Sequence, residues 1–323
     1  MATSSPTPRL TIGMPIYNGE RYMAETIEAI LGQTFTDFEL IVSDNCSTDG
    51  TRAVVEGFMA RDPRVRYVCN ETNVGAARNY NQLVGFARGE LFKWAGYDDI
   101  PLPTYLERCV AALDADPGVV IAYPRTVIID GDGVVVREHD DNLHLDDDDS
   151  VERAIQFGRR FTLCNPCFGV IRKDVLEQTS LVQPFVSSDV PLLVELAILG
   201  RWHEVPERLF QRRIHSTSSR QGHVTMQQVA SWFDPTGKAP VAPRMKMIAE
   251  CVRSIRSSGL SEAEKRRAVV GFLSTWARRR VRVRGGELKA TLRGRGRAPS
   301  PAPFRAGAPA PATSEPAATS ASL

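Results

Sequence analysis

Four acids and one histidine stand where the chain passes from regular structure into loop, the places at which side chains are free to do chemistry. Asp44 follows the predicted strand Phe38–Val42, and the pair Asp98 and Asp99 ends an apolar run that begins at Leu91. Pro101 and Pro103 come next and are expected to stop further strand pairing. Asp189 opens a strongly apolar helix, and His215 follows the last predicted strand. Two adjacent carboxylates at a strand end can hold a hard divalent cation through oxygen while that cation bridges phosphate oxygens. An Asx-type turn leading into the next helix is the plainer reading of the pair. Asp189 can act as a general base, or can rest at a helix N-terminus because the helix dipole stabilises it there.

These groups act together only if the fold gathers them. Leu10–Met14 makes a short apolar strand closed by Pro15, and Asn18 is placed to cap a helix whose Met23, Ile27, Ile30, Leu31 and Phe35 follow helical spacing. Strands at Phe38–Val42 and Val65–Val68, a helix from Thr51 to Arg61 and another ending at Ala87 lead to the strand that carries Asp98 and Asp99. Four strands separated by helices predict a parallel sheet with right-handed crossovers. Every strand ends in a polar cluster: Tyr17 with Asn18, Asp44, Asn73 to Asn79, and Asp98 with Asp99. The clusters must therefore share one edge of the sheet, the edge at which open α/β folds bind ligands. Neither a Gly-x-Gly-x-x-Gly turn nor a P-loop follows the first strand, which disfavours dinucleotide and P-loop folds.

Further on, Thr104 and Glu107 predict a capping box for a helix over Tyr105–Ala115. Strands are predicted at Val119–Tyr123, Thr126–Ile129 and Val134–Val136, with Asp130–Gly133 as a hairpin turn. The acidic stretch Asp140–Asp149 reads as an exposed loop whose end caps a helix from Val151. Two more strands, Trp202–Val205 and Leu209–Ile214, precede the Ser/Thr-rich loop Ser216–Ser219, and Ser261 with Glu264 predicts a second capping box. Basic residues crowd Arg278–Arg297, and Ala298–Leu323 has the composition of a disordered tail.

A chain of 323 residues with 42% hydrophobic and 24% charged residues has the balance of a soluble globular protein. The start lacks a signal-type apolar segment, and the longest apolar helical run, Val190–Leu199, is short of the roughly 20 residues a bilayer needs. A cytoplasmic location is expected. Six scattered cysteines with a single Cys-x-x-Cys pair, Cys164 and Cys167, read as buried thiols rather than a zinc site. The net charge of +2 hides a basic C-terminal segment with only Trp276 among its aromatics, so nucleic acid is not an expected partner. Weak contact of that segment with an anionic membrane, at the inner face, is expected instead.

Taken in order, Pro15-x-Tyr17-Asn18, Val42-Ser43-Asp44-Asn45-x-Ser47-x-Asp49-Gly50-Thr51, Asn73-x-Gly75-x-x-Arg78-Asn79, Asp98-Asp99 and Asp189 make a recognisable set. Over about Leu10–Arg220 it resembles the family-two glycosyltransferases, inverting enzymes of the GT-A fold. The resemblance implies a Rossmann-like, mostly parallel central sheet flanked by helices over residues 9–220. A helical extension over 221–285 and a tail over 286–323 would follow, with 1–8 as a flexible start. It implies a nucleoside-diphosphate sugar as donor, with Pro15, Tyr17, Asn18, Asn73 and Arg78 about the nucleotide. Asp44 would face the base and Asp98 the ribose side. It further implies Mg²⁺ or Mn²⁺ held by Asp99, with His215 as a further ligand or diphosphate contact, and Asp189 as the catalytic base. The acceptor would be a glycan or a lipid-linked sugar in cell-surface glycan or glycolipid synthesis.

Two departures from the family pattern bear on these expectations. Asn45 stands where many relatives carry a second acid, which leaves the base preference open, and Gln211-Arg212-Arg213 does not complete the signature of processive synthases. Transfer of one sugar is expected rather than polymerisation. The rival of a different class is a sugar-nucleotide-binding protein without catalysis.

Overall fold

Alternation in the first strand, β1 (Leu10–Ile16), sends Leu10, Ile12, Met14 and Ile16 into one core layer, while Gly13 faces the other. A Cβ at Gly13 would lie 3.0 Å from the Leu83 side chain, so a helix packs closely against this strand. The computed structural model describes residues 7–215, 225–236 and 242–292, and for Met226 and 278–292 the backbone alone. Most of the polar start, the Ser216–Ser219 loop and the Pro/Ala-rich tail lie outside the described residues.

The other strands are β2 (Phe38–Asp44), β3 (Val65–Cys69), β4 (Leu91–Trp94), β5 (Ile100–Pro101), β6 (Val119–Ile129), β7 (Val135–His139), β8 (Val170–Arg172) and β9 (Arg201–Arg213). They form one sheet in the order β3-β2-β1-β4-β8-β6-β9-β5, with β7 beside β6. β1, β2, β3, β4, β6 and β9 run one way, and β5, β7 and β8 run the other. The C-terminal ends of β1, β2, β3, β4 and β9 therefore share an edge, as the sequence pattern predicts.

Helices α1 (Met23–Leu31), α2 (Thr51–Met59) and α4 (Tyr105–Ala115) cover one face and bury Ile27, Val55, Phe58, Leu106 and Leu113. The other face carries α3 (Ala76–Phe86), α5 (Ser150–Arg160), α7 (Asp189–Leu199), α9 (Pro243–Ser257) and α10 (Glu262–Leu292). A single turn, α6 (Lys173–Leu176), follows β8, and α8 (Met226–Phe233) touches α3. α7 packs between α5 and α9, which is why it is apolar nearly all round. Its C-terminal carbonyls at Ala197 and Ile198 accept from the buried Arg153 guanidinium, which also donates to the Asp147 and Asp148 carbonyls. Residues up to Arg282 make one compact unit, and the chain from Val283 makes a second whose described part is the end of α10. Among the described residues no helix is long and apolar enough to cross a membrane.

Five local expectations need correction. The two strands predicted on each side of Pro124 are one strand, β6, and those on each side of Pro206 are one strand, β9. Each proline interrupts the ladder only locally: the β6–β9 register shifts between Pro124 and Thr126 and then resumes. Pro101 does not stop pairing, because Ile100 and Pro101 form an edge strand against Gln211 and Phe210. Thr104 makes no capping bond, since Glu107 accepts from Thr34 Oγ1 instead. Asn18 does not cap α1; it adopts φ 53° and its Oδ1 accepts from the Thr48 N–H in the turn after β2. The caps at Asp149 and at Ser261 with Glu264 form as expected. The acidic loop is largely engaged, with Asp140 paired to Arg208, Asp148 to Arg201 and Asp149 to Arg267.

Gly75, at φ +84°, begins α3 under the end of α8, and a Cβ there would lie 2.5 Å from the Phe233 carbonyl oxygen. Gly75→Ala combines left-handed strain with that clash. The expected outcome is amide exchange over 225–236 at least tenfold faster, with β1 protection unchanged. Unchanged exchange over 225–236 would show that other contacts seat α8.

Candidate functional site

β4 alternates Leu91 and Lys93 toward one core layer and Phe92 and Trp94 toward the other. The chain then turns at Gly96 and delivers Asp98 and Asp99 before β5 takes it back into the sheet. Gly96 is required by this turn, because a Cβ would meet Asp99 Oδ2 at 2.6 Å and Asp98 Oδ1 at 3.1 Å. Asp99 is 5% exposed, and its Oδ1 accepts from the Arg213 N–H at 3.0 Å. Arg213 Nε donates to the Asp98 carbonyl at 2.9 Å, and Arg213 Nη2 reaches Glu25 at 2.6 Å. His215 Nε2 lies 2.9 Å from Asp98 Oδ2, and the imidazole rests on Tyr22 with ring centroids 4.5 Å apart. To an ionised Asp98 that ring nitrogen can only donate.

Burial, and then the Asp98 charge, push the Asp99 carboxyl up to about 7, while Arg212, the Arg213 N–H and Lys93 pull the other way. Lys93 itself is buried, donates to the Phe168 carbonyl at 2.6 Å, and sits 4.6 Å from the Tyr105 ring centroid. Desolvation lowers its ammonium to about 8.

Among the described residues no group of three or more His, Cys, Asp or Glu is arranged to hold a metal ion unaided. Asp98 and Asp99 nevertheless fit Mg²⁺ or Mn²⁺ as these bind beside phosphates, through one or two carboxylates with substrate oxygens completing the shell. His215 stands as the partner of Asp98. Cys164 and Cys167 sit at the short turn Asn165–Phe168 and form no disulfide among the described residues.

The turn after β2 is built by its own side chains. Asp44 is buried, with Oδ1 accepting from the Ser47 N–H at 2.8 Å and Oδ2 from the Tyr67 hydroxyl at 2.6 Å. Asp49 accepts from Thr51 and from the Glu20 N–H, which agrees with a structural role. Asn45 bonds Asn73 and the Val74 N–H.

A cavity of about 460 Å³ opens beside this turn, walled by Pro15, Tyr17, Asn45, Asn73, Tyr80 and, from α8, Trp232. Asp44 is not on its wall; Asn45 is. Arg78 is exposed on α3, and its charge acts on Asp234 rather than on either cavity described here. A second cavity, about 130 Å³, adjoins the first across Ala76, Tyr80 and Trp232, and has Asp189 and Arg212 on its wall. Tyr80 links the groups: burial first, then the charges of Cys167, Asp98 and Asp99, raise its phenol. The sequence did not single out Tyr80 and Trp232, and noted Asn45, Arg212 and Arg213 only as departures from the family pattern. For Arg212 and Arg213 a signal existed, two guanidiniums two and three positions before His215.

Residues 11–179 match the family described as Glycosyl transferase family 2. The putative glycosyltransferase EpsE of Bacillus subtilis is 37% identical over 108 residues, 33% of this chain and 39% of EpsE. The chain likewise spans less than half the length of other curated relatives of comparable identity. Among solved structures, Staphylococcus aureus TarS 1–349 in complex with UDP-GlcNAc is similar with a TM-score of 0.61 at 18% identity, over 83% of this chain and 72% of that one. Mannosyltransferase PcManGT from Pyrobaculum calidifontis, in complex with GDP-Man and Mn²⁺, gives 0.52 at 18% identity, over 90% and 80%. At these identities the likeness is one of fold, and the GT-A architecture expected from the sequence is present.

The electrostatics of Asp99 give a pH test. A carboxyl raised above its ordinary value contributes stability below about pH 4, where it is protonated folded and unfolded alike, and that contribution is lost as pH rises through about 7. Wild type should therefore lose stability relative to Asp99→Asn between about pH 4 and 7. By pH 8 the variant should melt higher, by about 2–4 °C for each kcal/mol, and only wild type should gain stability from Mn²⁺. A melting difference that ignores pH would refute the shift.

Proposed function

The chain belongs to glycosyl transferase family 2, and on that basis we propose that it moves one sugar from a nucleoside-diphosphate donor to an acceptor hydroxyl, with inversion and with the aid of Mg²⁺ or Mn²⁺. The observation that carries this reading is that Tyr80 and Trp232 wall both cavities, with Asp189 on the wall of the smaller one.

The donor nucleotide would occupy the larger cavity, where Tyr17 is 40% exposed and can lie against a base, and Asn45 and Asn73 present amides. Amides both donate and accept, which suits a base edge whatever its identity. Pro15 would meet the nucleotide from the end of β1, Asn18 supports the turn after β2 through the Thr48 N–H, and Asp44 holds the part of that turn that presents Asn45. Asp98 and Asp99 would hold a cation that neutralises charge on the departing diphosphate as a Lewis acid. Asp98 is kept in place by His215, and Asp99 by the Arg213 N–H. Arg78 would act only as a distant positive charge. Asp189, at the first turn of α7, would take the proton from the acceptor hydroxyl as it attacks the anomeric carbon from the face opposite the leaving group. One displacement inverts that carbon. Complexes of similar folds with UDP-GlcNAc, and with GDP-Man and Mn²⁺, support the donor class and the cation.

The acceptor would be a glycan or lipid-linked sugar of a cell-surface polymer, with the protein in the cytoplasm or at the inner membrane face. The basic segment that would touch anionic lipid falls on Arg278–Arg284, whose backbone alone is described, and on Arg293–Arg297, outside the described residues.

Asp189→Asn keeps the shape of the side chain and removes its basicity. Transfer with Mn²⁺ should fall by roughly 10²–10⁴ in kcat, while calorimetric binding of the nucleoside diphosphate changes less than about threefold. Equal kcat in the two proteins would remove Asp189 from the mechanism.

A further inference from the structure

The smaller cavity has an unusual wall for a site that meets a sugar. Trp94, Phe168, Val182, Leu192, Val229 and Trp232 line it, and most of its surface is carbon. Two of its polar groups are already engaged: Trp94 Nε1 donates to the Tyr80 carbonyl at 3.0 Å, and Arg212 Nη1 to the Leu163 carbonyl at 2.9 Å. Ser188 is different. It is 1% exposed, lines this cavity, and its hydroxyl has no hydrogen-bond partner among the described residues.

The reason lies in the backbone. Ser188 precedes α7, where a serine ordinarily turns its hydroxyl onto the helix's free N–H groups from an extended conformation. Here φ −68° and ψ −13° are helical, and no capping bond forms. A buried hydroxyl left unpaired is destabilising, a cost that a ligand hydroxyl or carbonyl in the cavity would relieve.

We propose that this cavity is the subsite for the transferred sugar, that it selects a sugar bearing a methyl group, in a 6-deoxy or N-acetyl substituent, and that Ser188 is its polar anchor. The proposal rests on the larger cavity being the nucleotide site. A volume of about 130 Å³ is the share of roughly four waters, room for a substituent and the near edge of a ring. The methyl group lies against Trp94, Phe168 and Leu192, and a polar atom of the same sugar meets Ser188 Oγ. A fully hydroxylated hexose brings a hydroxyl to carbon walls and loses its water without replacement, a discrimination worth about 10-fold to 10²-fold.

The test uses the full chain with Mn²⁺ and calorimetry. Nucleoside diphosphates are titrated first, to find the accepted base and to test the nucleotide site on its own. Matched donors of the accepted base follow, all of one ring configuration: the D-glucose donor is compared with its 6-deoxy and its 2-acetamido counterparts. A methyl-bearing donor should bind at least tenfold tighter than its hydroxylated match, and which of the two does so separates N-acetyl from 6-deoxy. Val229→Asn, on the half-buried face of α8, should cut the preference to below about threefold. Ser188→Ala should leave the melting temperature equal or higher, because no bond is lost, yet weaken the sugar nucleotide against the bare diphosphate by about threefold or more. Equal binding of the matched donors, or tighter binding of the hydroxylated one, overturns the proposal while leaving the nucleotide site intact. Unchanged binding in Ser188→Ala overturns the anchor. If no nucleoside diphosphate binds, the nucleotide site fails and this proposal with it.

Discussion

Two carboxylates held side by side below the surface are the constraint to which the rest of this structure answers. Like charges in a poorly solvated place repel and resist ionisation, so Asp98 and Asp99 need a frame that fixes them without cancelling them. Arg213 supplies it from two directions, its N–H to Asp99 and its guanidinium to the Asp98 carbonyl and to Glu25. Its position follows from the long pairing of β9 with β6, which carries Arg213 to the same edge as the end of β4. Gly96 supplies the room, since any side chain there would press on both acids.

The opposite wall of the site comes from elements that are remote in sequence. α7 is anchored by burial all round and by Arg153 at its C-terminal carbonyls, so its N-terminal turn, with Ser188 and Asp189, is held firmly. α8 then lays Trp232 across both cavities, and it can approach α3 because Gly75 offers no side chain. Rigid elements thus fix the acid pair and Asp189, and Tyr80 and Trp232 wall the two cavities. Such preorganised polar groups act strongly because they need not rearrange as charge develops.

The sheet edge was legible because strand ends carry polar clusters in every βα unit, a signal local in sequence. What the sequence concealed depends on pairing between distant segments. Pro124 and Pro206 look like strand breaks when each is read alone, yet Pro124 pairs with Val205 and Pro206 falls in the bulge that follows in the same ladder. Asn18 has the composition of a helix cap, but a left-handed backbone turns it to the β2 turn. Asp44 drew attention as the acid of its turn; its carboxylate accepts from the Ser47 N–H and the Tyr67 hydroxyl, and Asn45 is the residue of that turn on the cavity wall. Ser188 gave no signal at all, because an unpaired hydroxyl is a property of its surroundings.

Lys93 extends the same logic beneath the acids. Strand alternation sends an ammonium into a layer of Tyr105 and Phe210, where carbonyls and aromatic faces substitute for water. Burial weakens that cation to about 8 and weakens the Asp99 acid to about 7, so near neutrality neither charge is firmly fixed. A charge arriving nearby would shift both balances in the same sense: a cation at Asp98 and Asp99 would favour the ionised acid and the neutral lysine, and an anionic diphosphate the reverse. The frame of Arg213, Gly96 and His215 keeps the geometry constant while those protonation states change. The fold therefore holds the shape of the site rigid and leaves its charge to be completed by what binds there.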